Sequence, residues 1–106
     1  MSDSKFYNKN GSLKEYAFNC GYIEKTAFQN GGTVRLERKG PSHPFEVIVW
    51  FSDAELHNNV VNVIGNYRKS FSKLSDARKV YNLTIGTIRA MEKVAADGKY
   101  LKTLGE

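Results

Sequence analysis

The chain has one cysteine, two histidines and two prolines in 106 residues. Cys20 alone excludes an intramolecular disulfide framework, and Cys20, His43 and His57 are too few and too dispersed for a structural zinc site. The longest purely apolar run, Val47-Ile48-Val49-Trp50-Phe51, is far shorter than the ~20 residues a membrane-spanning helix needs. Met1-Ser2-Asp3-Ser4-Lys5 leads directly into polar turn residues, so secretion is not expected and a reducing cytoplasm is the expected location. Catalytic patterns are equally sparse. Gly31-Gly32 lacks the Gly-Lys-Ser/Thr of a phosphate loop, and Asp53-x-Glu55-x-His57 has no second cluster to work with. Cys20, between Phe18 and Tyr22, reads as a small core residue rather than a nucleophile. The expectation is a protein without enzymatic activity, metal or cofactor.

What is present is an ordinary globular balance, 41% hydrophobic and 25% charged, of a size that suits one domain over 1–106. The net charge of +5 is unevenly spread. Seven basic and seven acidic side chains cancel over residues 1–64. Nine basic side chains, Arg68, Lys69, Lys73, Arg78, Lys79, Arg89, Lys93, Lys99 and Lys102, face only four acidic ones over 65–106. A localised cationic excess attracts polyanions, and a phosphate backbone is the commonest of these.

The predicted elements follow the hydrophobic period. Residues 1–15 form a partly ordered N-terminal segment in which Asn10-Gly11 marks a turn. Tyr16, Phe18, Cys20 and Tyr22 alternate within 16–28, which predicts a strand with Gly21 as a bulge or a point of close approach. Gln29-Asn30-Gly31-Gly32 predicts a hairpin turn. Val34 and Leu36 then point inward from a strand over 33–39, and Gly40-Pro41-Ser42-His43-Pro44 breaks it. Phe45, Val47, Val49 and Phe51 alternate inward against Glu46, Ile48 and Trp50. Residues 52–71 admit either a helix, with Ser52-Asp53-Ala54-Glu55 as capping box, or a strand with Tyr67 and Phe71 on one face; the strand is favoured. Beyond Ser72 the period changes: Ala77, Val80, Tyr81, Thr84, Ile85, Ile88, Met91 and Ala95 form a helical stripe over 73–97, with Ser75 as N-cap. Asn82, Gly86 and the β-branched Thr84-Ile85 pair suggest two short helices meeting near Asn82-Leu83-Thr84, before Asp97-Gly98-Lys99 ends the region and 98–106 forms a tail. The fold class is therefore α+β: an antiparallel sheet of three or four strands over 16–72, followed by C-terminal helices packed on one face.

Two resemblances add to this. The run from Ala77 through Met91 resembles the helix-turn-helix of bacterial regulators, particularly winged types. That likeness implies a turn at Asn82, Leu83 plugging the corner, Thr84 capping a recognition helix, and a wing from Val94 to Leu101. It places Ile85, Gly86, Thr87 and Arg89 toward the major groove and Lys79 and Lys93 on the backbone, while Arg78 departs from the small residue usual at its position. Tyr7-Asn8-Lys9-Asn10-Gly11-Ser12-Leu13, Tyr16 to Glu24 and Phe71 to Tyr81 are similar, over residues 5–81 with gaps, to small uncharacterised phage accessory proteins. That similarity implies a phage or mobile-element protein with a helix-covered antiparallel sheet, acting in the host cytoplasm.

The functional expectation is binding rather than catalysis. Nucleic acid, DNA before RNA, would be held by Arg68, Lys69, Lys73, Arg78, Lys79, Thr87, Arg89 and Lys93. A second surface on the outward sheet face would hold single-stranded nucleic acid through Arg35, Lys39 and Trp50, although Trp50 is expected to pack under a helix instead. The rival class is a protein-binding inhibitor of a host defence nuclease or polymerase, of the anti-restriction or anti-CRISPR kind.

Overall fold

Alternation is the strongest signal in the chain, and it builds the sheet. The computed structural model describes residues 5–28, 32–51 and 66–96. The turn predicted at Gln29-Asn30-Gly31, the Asp53 to His57 and Val60 to Ile64 segments and the Asp97-Gly98-Lys99 terminus lie outside the described residues. Four strands, β1 (Glu24–Ala27), β2 (Thr33–Arg38), β3 (Phe45–Trp50) and β4 (Tyr67–Phe71), pair antiparallel in the order β1-β2-β3-β4. Val34, Leu36, Phe45, Val47 and Val49 project to one face and are almost fully buried. Residues between them in sequence project to the other face, as the period of two requires. The favoured strand reading is correct for Tyr67–Phe71.

Among the described residues the inner face is covered mainly by one long helix, α2 (Leu74–Ala96), with Phe18 packed on Phe45 beside it, and the fold is α+β. Ala77, Tyr81, Thr84, Ile85 and Ile88 form its buried stripe, with Leu74, Val80 and Met91 packed on the margins. Two sequence expectations are corrected here. The helix begins at Leu74, with the Lys73 carbonyl accepting the Ala77 N–H, so Ser75 lies inside the first turn and is not the N-cap. The chain is also helical straight through Asn82, Leu83 and Thr84, where the sequence predicts a turn between two helices. The reason is energetic. Gly86 costs about 1 kcal/mol of helix propensity, and Asn82 less. Each of Tyr81, Ile85 and Ile88 recovers about 1.5–3 kcal/mol by burial against the sheet, and an interruption at Asn82 would carry Ile85 and Ile88 off that surface.

Hydroxyl pairs fix α2 at both margins of the sheet. Tyr81 OH lies 2.9 Å from Thr26 Oγ1 on β1, and Thr84 Oγ1 lies 3.0 Å from Tyr67 OH on β4. Burial pushes the Tyr81 hydroxyl above the ordinary tyrosine range, so it is the neutral phenol that packs there.

The strand predicted from Tyr16 is instead a short helix, α1 (Glu15–Asn19), that precedes β1. Leu13, Ala17 and Phe18 share one buried face, a helical spacing that the period-two pattern of Tyr16, Phe18 and Cys20 obscured. Gly21, at φ +93°, closes the helix: its N–H bonds Phe18 O at 3.0 Å, and the Tyr22 N–H bonds Ala17 O at 3.0 Å. This is a Schellman cap rather than a strand bulge. Cys20 consequently stands exposed at the C-cap and not in the core. Upstream, the Asn8 N–H donates to Ser12 O at 2.7 Å around Gly11, whose φ of +89° matches the predicted turn. Among the described residues no helix is long and apolar enough to cross a membrane.

Candidate nucleic-acid interface

The helical period that buries one stripe of α2 exposes the opposite one. Lys79, Asn82, Gly86, Arg89 and Lys93 recur at spacings of three and four and are all exposed. At 1.5 Å per residue the stripe runs for about 21 Å. None of its three cations has a carboxylate oxygen within 4 Å among the described residues. Arg89 and Lys93 stand at i and i+4, a like-charge pair that costs an isolated helix a few tenths of a kcal/mol. Asp76, in the first turn, suits the positive end of the helix dipole.

The remaining predicted cations are elsewhere. Arg78 lies on the flank of the buried stripe and holds Glu24 of β1 in a bidentate pair, with Nη1 donating to Oε1 at 2.9 Å and Nη2 to Oε2 at 2.6 Å. Its Nη2 also donates to the Leu13 carbonyl at 3.0 Å, and Glu24 Oε2 accepts the Leu13 N–H at 2.8 Å. Arg78 therefore clasps α2 to β1 and the N-terminal turn. Lys69 projects on the helix side of β4, 5.5 Å from the centre of the Tyr67 ring. Lys73 is exposed just before α2. The Thr87 hydroxyl donates to Leu83 O of its own helix at 2.9 Å. Ile85, expected toward a DNA groove, is buried against the sheet, whereas Leu83, expected to plug a corner, is 71% exposed.

The outer sheet face is organised by register. Lys25, Arg35, Ile48 and Arg68 form one row across all four strands. Ala27, Thr33 and Trp50 form the next. Trp50 is 54% exposed here and does not pack under α2, which corrects the expectation for it. Glu37 and Glu46 face each other in the adjoining row and take up two of the cations: Arg35 lies 3.5 Å from Glu37, and Arg68 lies 2.9 Å from Glu46. Lys39 is exposed beyond the end of β2. Arg38 turns back to Asn19 and the His43 carbonyl, with its guanidinium 4.3 Å from the centre of the Phe45 ring. Cations on this face are thus largely matched by carboxylates.

A groove of about 450 Å³ opens between β1, α2 and the N-terminal turn. Leu13 and Ile85 form its apolar base, Tyr22, Ile23 and Lys25 line one side, and Asn82 and Arg89 line the other, with Tyr7 at the turn. The Arg78–Glu24 clasp neutralises the one carboxylate in its lining. Tyr22 ends a stack of three rings: Phe6 lies 4.8 Å from Tyr22 with planes 8° apart, and 5.7 Å from Tyr16. Sequence reasoning missed the groove. The available signal was the density of rings in the first segment, where Phe6, Tyr7, Tyr16, Phe18 and Tyr22 fall within seventeen positions. Comparison of the chain with protein-family models, curated proteins and solved structures finds no match to any of them.

Proposed function

We propose that the protein binds nucleic acid through the outer face of α2. The observation that carries this reading is the segregation of charge on one helix. Arg78 is neutralised by Glu24 inside the fold, while Lys79, Arg89 and Lys93 line up on the solvent side without a carboxylate partner among the described residues. Such a stripe gains free energy when phosphates displace its counterions. Asn82, set among the cations, carries an amide able to donate and accept at once, the chemistry that reads adenine edges, and Gly86 beside it keeps the centre of the face low. The outer sheet face supports the reading less well, because Glu37 and Glu46 offset its arginines.

The test is fluorescence anisotropy with a labelled DNA duplex over a salt series. Binding should weaken steeply with salt, and the triple variant K79A/R89A/K93A should flatten the slope by about 0.9 for each phosphate it no longer neutralises. R68Q, on the opposite face, should leave the slope as it is. A salt-independent signal, or none, removes the reading and leaves the protein-directed inhibitor.

A further inference from the structure

We infer that the groove between β1 and α2 takes an unpaired nucleobase, so that single-stranded nucleic acid is the preferred ligand. This rests on the nucleic-acid reading above and shares Arg89 and Asn82 with it. Three independent features converge on the groove. The first is the ring stack Tyr16–Phe6–Tyr22, whose end ring Tyr22 is 41% exposed and stands in the groove wall. A parallel stack that ends on an exposed ring can be extended by one more flat aromatic ring, and every base supplies one. The second is charge. Arg89 lines the helical side and has no ion-pair partner among the described residues, whereas Glu24 on the β1 side is held by Arg78 and Lys25 projects to the outer sheet face. The groove is therefore complementary to a phosphate flanking the stacked base. The third is Asn82, exposed in the helical wall, where its amide can address the hydrogen-bonding edge that a base shows only when unpaired.

A duplex has its bases stacked inward and can meet only the convex stripe of α2. A single strand can use both the stripe and the groove. An extended acidic peptide would also answer Arg89, but it would make no use of a ring stack, and the stack favours the base.

The experiment compares fluorescein-labelled oligo-dT with an oligo-dA/oligo-dT duplex of the same length, by anisotropy at one low salt concentration, for the full chain and for Y22L and N82A. Thermal melts by circular dichroism accompany each variant, and N82A, an exposed helix position, guards against a folding defect in Y22L. The expected result is tighter binding of oligo-dT, with about a tenfold loss for oligo-dT in Y22L, a smaller loss in N82A, and duplex affinity unchanged in Y22L. Equal affinity for the two ligands, or a single-strand preference that survives in folded Y22L, overturns the inference and leaves the α2 reading standing. Failure to bind either oligonucleotide overturns both.

Discussion

Arg78 and Lys79 are neighbours in sequence and opposites in role. One step along a helix turns a side chain through about 100°, enough to carry Arg78 onto the flank facing β1 and Lys79 out to solvent. The Arg78–Glu24 pair joins residues 54 positions apart, with side-chain exposures of 21% and 17%. Breaking it strands a charge in a largely desolvated place, and hydrogen bonds to charged groups contribute about 1.5–3 kcal/mol. E24Q and R78M should each lower stability on this order, and the double variant should cost less than the two together. Urea denaturation of all three reads the coupling, and strictly additive losses would show that each side chain acts independently of the other. R78M should also leave the salt dependence of oligonucleotide binding unchanged, since its guanidinium is already neutralised. None of this was legible in the sequence, where Arg78 counted as one cation among nine. No period or spacing encodes a partner so distant, and its departure from the small residue of a helix-turn-helix was the only hint.

Short elements and long ones escape a sequence reading for opposite reasons. β2, β3 and β4 were legible because alternation over five or six residues leaves one consistent face. α1 has five residues, fewer than two turns, and its alternating rings imitate a strand at that length. The sequence divides α2 because Asn82 and Gly86 weigh locally, whereas the burial that overrides them belongs to the assembled sheet. The two glycines that punctuate these helices make opposite predictions. At Gly21, with φ +93° and nothing within 4 Å of an added Cβ, the penalty is conformational, and G21A should destabilise by about 1–2 kcal/mol. Gly86 is helical, exposed and equally open around an added Cβ, so G86A should stabilise by about 0.5–1 kcal/mol. Thermal denaturation of both variants decides the signs. A loss of nucleic-acid affinity in the more stable G86A would further show that a ligand backbone comes close to that part of the helix.

At the scale of the whole molecule, the sheet separates two unlike surfaces. Paired charges and Trp50 lie on one side, and cations without a carboxylate partner among the described residues lie on the far side of α2. The chain has a single tryptophan, which makes the separation measurable. Saturating oligonucleotide should leave acrylamide quenching of Trp50 unchanged if α2 and its groove are the contact. Protection of Trp50 would move the interface to the outer sheet face, where Arg35 and Arg68 flank its row. The two hydroxyl contacts of α2 bear on how the far surface is presented. One Tyr–Thr couple sits at each sheet edge, with tyrosine and threonine exchanged between helix and strand, so rolling the helix about its long axis would unlatch both at once. The azimuth of Lys79, Asn82, Arg89 and Lys93 is thereby keyed from within. Their alignment exists before any ligand arrives, and encounter need not wait for the helix to find its angle.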